Sequence, residues 1–200
     1  MQSQSNSAKM NYGPCRYTMG TLGSTYTDQA VKCPTGEDMN EWMAHCTVDI
    51  FKHVVKAYGT LTVFCTPDRC PKMTAGEVQY TWLGSNNRPA DVSAPEYIDA
   101  VLTWIQCQLD SEEVFPTQLG NKFPDQFQNI IKTIMSRLLQ VYAHIYHNHW
   151  SDMQAMKTEA HLNTAFKSFV FFIKEFNLVS EVEQAPLKEL IEKVYAQHFS

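Results

Sequence analysis

Two thiols and a knot of imidazoles hold the richest chemistry in this chain. Cys65 and Cys70 flank the tetrapeptide Thr66-Pro67-Asp68-Arg69, and His144, His147 and His149 crowd into one short segment far downstream. Two cysteines with two histidines form a preferred donor set for structural zinc, which takes soft or borderline ligands in a closed tetrahedron. A closed tetrahedron leaves no position for a substrate, so such a site clamps a fold and points away from catalysis. The clamp would tie a loop to a distant helix, so that metal-binding energy becomes folding energy. The imidazole pair is less determined than the thiols. His144 and His147 share one face of a helix, whereas His144 and His149 lie about 140° apart around an ideal one. Spacing alone favours His144 with His147, unless the helix frays or tightens near His149.

A second chemical feature is acidic. Glu37, Glu41 and Asp49 follow a loose helical stripe, with Trp42 beside Glu41 and His45 between the last two acids. Acids near a helix N-terminus offset the macrodipole, which accounts for Glu37, Asp38 and Glu41 but not for Asp49, turns further in. The stripe therefore suits docking of a basic amphipathic helix, with Trp42 either a contact residue or an anchor in the core. The chain has no P-loop, dinucleotide fingerprint, Gly-x-Ser-x-Gly elbow or His-Glu-x-x-His. A zinc-dependent hydrolase remains the enzymatic alternative; it would need an open Cys/His zinc site and Glu159 or His161 as acid or base. His161 fits better as a buried, hydrogen-bonded histidine.

Composition narrows the classes further. A formal net charge of −5 argues against a nucleic-acid partner and for a basic protein partner. With 44% hydrophobic and 12% aromatic residues over 200 positions, the chain has enough apolar material for one globular core. No apolar run approaches the roughly 20 residues of a membrane span. The N-terminus lacks the blocks of a signal peptide. The expectation is an intracellular, cytoplasmic monomer whose cysteines stay reduced. Cys15, Cys33, Cys46 and Cys107 lack ligand spacing and are expected to be free thiols.

The elements that must position these groups are mostly helical. Residues 1–24, rich in Ser, Asn, Gln and Gly, read as a flexible arm, and 25–200 as a single domain. Thr35 and Asp38 resemble a capping box opening a helix that carries Met39, Trp42, Met43, Ile50, Phe51, Val54 and Val55 and stops near Gly59. Val78, Tyr80 and Trp82 alternate as in a short strand or hairpin, and residues 84–89 read as a turn. Ser93-Ala94-Pro95-Glu96 is a second capping box before Ile98, Val101, Leu102, Ile105 and Leu109. Asp125 is placed to cap the longest helix, to about His149, with Ile130, Ile131, Ile134, Leu138, Val141, Tyr142 and Ile145 inward. Ser151 begins another helical region with Phe166, Phe169, Val170, Ile173 and Phe176. Pro186 starts a last helix with Leu187, Leu190, Ile191 and Val194. The fold class is all-α with one short β element and a zinc clamp.

Several blocks then carry a resemblance: Gly36 through Trp42, Tyr58-Gly59-Thr60, Phe64-Cys65 to Cys70-Pro71, Ser93-Ala94-Pro95, Tyr142 through His149, and Glu159 through Thr164. In this order they resemble the Mob (Mps one binder) family of kinase coactivators, closest to its founding subgroup, from about Thr21 to Val194. The resemblance implies a helical domain built on a four-helix bundle with a short β-hairpin and one structural zinc ion. It implies Cys65, Cys70, His144 and His149 as ligands, displacing His147. It implies a non-catalytic adaptor that binds the basic N-terminal region of NDR/LATS-class kinases in Hippo-like or mitotic-exit-like signalling, through Glu37, Glu41, Trp42 and Asp49. It extends the expected location to the nucleus, spindle poles and division site. It also implies a phosphothreonine pocket for an upstream Hippo-class kinase, but two of its basic positions fall on Ser136 and Gln140. That leaves Arg137, with Lys132 nearby, and a dianion wants several donors. Thr21 resembles the threonine whose phosphorylation releases the arm, and a new dianion would repel Glu37, Glu41 and Asp49.

Overall fold

The computed structural model describes residues 28–83, 89–118 and 120–196. Thr21, Cys15 and the arm lie outside the described residues, as do 84–88 of the expected turn. Helices dominate: α1 Asp28–Val31, α2 Met39–Gly59, α3 Ala94–Leu109, α4 Phe127–Asn148, α5 Trp150–Ala155, α6 Glu159–Glu175, α7 Glu181–Gln184 and α8 Lys188–Ala196. A 3-10 turn at Ala185–Leu187 leads into α8, so Pro186 lies in that turn and not at the first α-helical position.

Among the described residues the β structure is two ladders, not one. β1 Thr74–Ala75 pairs antiparallel with β2 Val78–Gln79, and β3 Trp82–Leu83 with β4 Pro89–Ala90. The alternating run Val78-Tyr80-Trp82 thus spans two separate pairings. Gly76 closes the first hairpin at φ 61°, a conformation open to glycine, and a Cβ there would sit 3.4 Å from the His147 ring.

Helix starts follow local chemistry, with two departures from the sequence reading. Asp38, not Thr35, caps α2: its carboxylate accepts from the backbone N–H of Asn40 at 2.8 Å and Glu41 at 3.1 Å. At α3, the backbone N–H of Ser93 donates to the Glu96 carboxylate, the reach-back bond of the expected box, and the Ser93 hydroxyl donates to the same carboxylate. Asp125 does not cap α4. The helix begins at Phe127, whose N–H donates to the Pro124 carbonyl, and Gln126 precedes it without a side-chain cap. Burial of Phe127 against Phe115 and Phe123 sets this start instead.

The core sits around α4. Six consecutive residues, Val141 to Tyr146, are buried, which only a helix enclosed on all sides can do. It packs against α2 and α3, and α2 packs in turn on α6. Tyr142 and Tyr146 of α4 meet Phe166 and Phe169 of α6 in an aromatic cluster with centroids about 5 Å apart. Ile130, expected inward, is only half-buried. No helix among the described residues is long and apolar enough to cross a membrane.

Candidate metal centre and flanking surfaces

After α2 the chain turns tightly through the thiol loop. Leu61 is fully buried and its carbonyl takes the N–H of Cys65 at 2.8 Å, while the Thr66 carbonyl takes that of Cys70 at 2.7 Å. Both sulfurs are thereby aimed inward, at the C-terminal end of α4. There Cys65 Sγ lies 3.4 Å from His144 Nε2, and Cys70 Sγ lies 3.4 Å from His149 Nε2. The four donor atoms all lie within 4.8 Å of one another and all four residues are buried. Among the described residues this is the one Cys/His/acid cluster that could hold a metal ion.

The helix end explains how His149 reaches the site. α4 closes at Asn148, and His149 follows with φ −125° and ψ 12°, off the helical track. The ideal-helix angle that favoured His147 does not apply past that break. His147 is exposed, its Nε2 lies 2.8 Å from the Pro186 carbonyl, and its ring rests on Gly76. The pairing of His144 with His147 suggested by spacing is therefore not the one that meets the thiols.

Each imidazole is oriented by its other nitrogen. His144 Nδ1–H donates to the Thr74 carbonyl at 2.9 Å, and the Asn148 amide donates to the same carbonyl at 2.8 Å. His149 Nδ1–H donates to Asp152 Oδ2 at 2.9 Å, and Arg69 pairs with the same carboxylate at 2.9 Å. Both Nε2 lone pairs are left facing the sulfurs. Burial pushes the His144 imidazole down to about 4, against the pull of the Thr74 carbonyl, and depresses His149 as well. Both rings are thus neutral and competent to ligate. Burial pushes the Cys65 thiol up to about 12 and raises Cys70, so a cation must displace thiol protons as it binds. With four protein donors converging, the set is closed. Neither Glu159 nor His161 joins it. His161 is exposed, contrary to its expected burial, and lines a cavity between α2 and α6.

Around the start of α2, Glu37 and Asp38 just before it and Glu41 in its first turn are exposed and gather together. Trp42 is half-buried, and its indole N–H donates to the Val31 carbonyl at 2.8 Å, pinning α1 to α2. Asp49 sits in mixed charge: Lys52 lies 3.7 Å and His45 3.5 Å away. The acidic stripe is therefore strong at its start and compensated two turns on.

Lys132 and Arg137 line one cavity of about 610 Å³ with Ser136, Gln140 and Glu183. Arg137 donates to the Tyr97 hydroxyl at 2.7 Å, and its guanidinium stands 5.3 Å over the Trp82 ring. Although partial burial raises Glu183, hydrogen bonds from Ser180 and Ser136 hold it below the usual carboxylate range. An ionised carboxylate thus shares the wall with the arginine.

Asp152, Arg69, the Thr74 carbonyl and Glu183 were not singled out from sequence. Asp152 stands three residues after His149 and Arg69 directly before Cys70, a spacing that flags them once the ligands are known. Their meeting across the fold has no sequence signal.

The family model described as Mob1/phocein matches residues 19–187. The chain is 50% identical over 181 residues to "MOB kinase activator-like 1A" of Arabidopsis thaliana, covering 89% of this chain and 84% of that protein. It is 50% identical over 182 residues to "MOB kinase activator-like 1 homolog A" of Dictyostelium discoideum, covering 90% and 85%. A Medicago sativa subsp. falcata relative, "MOB kinase activator-like 1A", is 49% identical over 177 residues.

Proposed function

Because the chain belongs to the Mob1/phocein family, we propose that it is a non-catalytic kinase activator whose helical platform is clamped by one structural zinc ion. The observation that carries the activator reading is half-identity, over nearly nine-tenths of the chain, to proteins named kinase activators.

The zinc reading is supported by the donor chemistry. Zinc held tetrahedrally at ~2.3 Å from sulfur and ~2.0–2.1 Å from nitrogen places each sulfur–nitrogen edge at roughly 3.5 Å. The two Cys–His separations of 3.4 Å fit that edge. Cys65, Cys70, His144 and His149 would hold the ion, which would supply cross-linking between the thiol loop and the end of α4 on the four-helix-bundle platform.

The partner would be the basic N-terminal segment of an NDR/LATS-class kinase in Hippo-like signalling. Glu37 and Glu41, exposed at the start of α2, would attract it and set its orientation. Trp42 would serve by holding the α1–α2 junction in place, and Asp49 would contribute less because its charge is compensated. Lys132 and Arg137 would give an upstream kinase's phosphothreonine motif only a weak hold, since Glu183 faces the same cavity. Phosphorylation of Thr21 would set a dianion against the acidic end of α2. Action in the cytoplasm, nucleus and at the division site follows the same reading.

The direct test is binding of a synthetic basic NDR-type segment to purified protein, followed by kinase activation in trans. Specific binding with enhanced kinase turnover is expected. A protein that neither binds any such segment nor alters kinase activity is no activator of this class.

A further inference from the structure

We propose that Asp152, braced by Arg69, is a positioning residue that fixes His149 for the metal and sets how long the centre keeps its ion. The inference rests on the metal reading above and deepens it with residues outside the ligand set.

His149, though buried, is the member of the quartet that stands off the regular helical track. It stands at the junction of α4 and α5, where its N–H donates to the Ile145 carbonyl and its carbonyl accepts from Met153, but those backbone bonds do not set the angle of its ring. What holds the ring is the Asp152 carboxylate, which accepts from Nδ1–H at 2.9 Å. That bond fixes the tautomer that turns the Nε2 lone pair toward Cys70. A carboxylate behind a ligating imidazole also raises its basicity. His144 has only a neutral carbonyl in the same role, so the two ligands are tuned differently.

The carboxylate in turn needs a reason to stay in place. Its side chain is 12% exposed, and a buried anion is costly unless paired. Arg69 supplies the pair: one guanidinium nitrogen reaches both Asp152 oxygens, at 2.9 and 3.1 Å. Two thiolates neutralise a divalent ion, and Arg69 neutralises Asp152, so the whole assembly closes at zero charge. Arg69 is also the neighbour of Cys70, and Asp152 follows His149 by one turn. The pair therefore bridges the backbone segments of two ligands and preorganises Cys70 and His149 together.

A plain loop clamp would show the same contacts but leave the metal unaffected, and the experiment separates the two. Full-length protein loaded with zinc is challenged with a chromophoric chelator, and a cobalt(II)-substituted sample gives the ligand-field spectrum. Asp152→Asn keeps the shape and removes the charge; it should weaken metal affinity about 10- to 100-fold and speed release by a similar factor. Its cobalt bands should shift, and Asp152→Glu should restore part of the affinity. Arg69→Met, which changes a half-exposed side chain, should give a smaller loss in the same direction, and decides the matter if Asp152→Asn does not fold. Unchanged affinity, release rate and cobalt spectrum in the folded variants would overturn the proposal, whatever happens to Tm. Wild-type protein that binds no metal would overturn the zinc reading itself, and this inference with it.

Discussion

α4 carries two sites that a sequence reader would treat alike, and they come out opposite. At its C-terminal end, two imidazoles meet two thiols, and each ring is oriented by a second partner. At its middle, Lys132 and Arg137 line a roomy cavity, but the arginine is engaged by Tyr97 and Trp82 and a carboxylate lines the same cavity. The first site brings together four donors that could hold one small cation. The second has residue types suited to an anion but neighbours that oppose it. The lesson is that donor identity nominates a site, whereas the partners behind the donors decide whether it is poised.

The largest effect should come from the poised site. Cys70→Ser, or chelation of the wild type, should remove the metal and with it on the order of 10 kcal/mol of folding energy, comparable to a domain's whole stability. Loss of helical circular dichroism and of bound zinc by mass spectrometry should coincide. A fully folded, metal-free Cys70→Ser protein would erase the contrast between the two ends of α4.

The acidic start of α2 is the next test. Reversing Glu37 and Glu41 together should cut affinity for a basic kinase segment about tenfold, more at low salt because exposed charges are screened within ~10 Å at 0.1 M. Asp49→Lys should do less, since Lys52 and His45 already flank it. Titration calorimetry at two ionic strengths ranks them; equal losses from Asp49→Lys and Glu41→Lys would mean the local pairing is irrelevant.

A smaller effect should sharpen the comparison at mid-helix. Glu183→Gln preserves the capping box with Ser180 while removing the negative charge. Affinity for a phosphothreonine peptide should rise by roughly 3-fold from a weak wild-type level, a change of the size expected for one exposed charge. Fluorescence anisotropy reads it, and no gain would show that the carboxylate is not what limits the cavity.

The smallest difference lies between two tyrosines one turn apart on α4. The Tyr142 hydroxyl is buried without a hydrogen-bond partner among the described residues, whereas Tyr146 donates to Asn163 at 3.0 Å. Tyr142→Phe should be neutral or slightly stabilising, and Tyr146→Phe should cost about 1 kcal/mol in urea unfolding. The reverse order would show that the aromatic cluster, not hydrogen bonding, sets both values.

Much of this architecture was readable beforehand, for reasons local to the chain. The apolar periodicity of Met43, Ile50 and Val54, and of Ile131, Ile134 and Leu138, placed α2 and α4, because one helical face must leave water. The Ser93–Glu96 box marked α3 since its bonds close within one turn. The thiols were nominated by type and spacing. Reading failed where the deciding group lay elsewhere. Asp125 looked like a cap, but packing of Phe127 set the start of α4. The alternation through Trp82 looked like one hairpin, yet its pairing partners divide into two ladders.

The sequence by itself determined the helical class, the thiol pair, and the acidic start of α2, since periodicity, donor chemistry and charge are properties of neighbouring residues. Only the tertiary structure showed how His149, which the family resemblance implied and spacing did not, reaches the thiols; it alone set Arg69 against Asp152 and brought Glu183 into the cavity that Arg137 lines. Those outcomes depend on where helices end and which distant surfaces meet, and a chain's order carries no distance between residues that far apart.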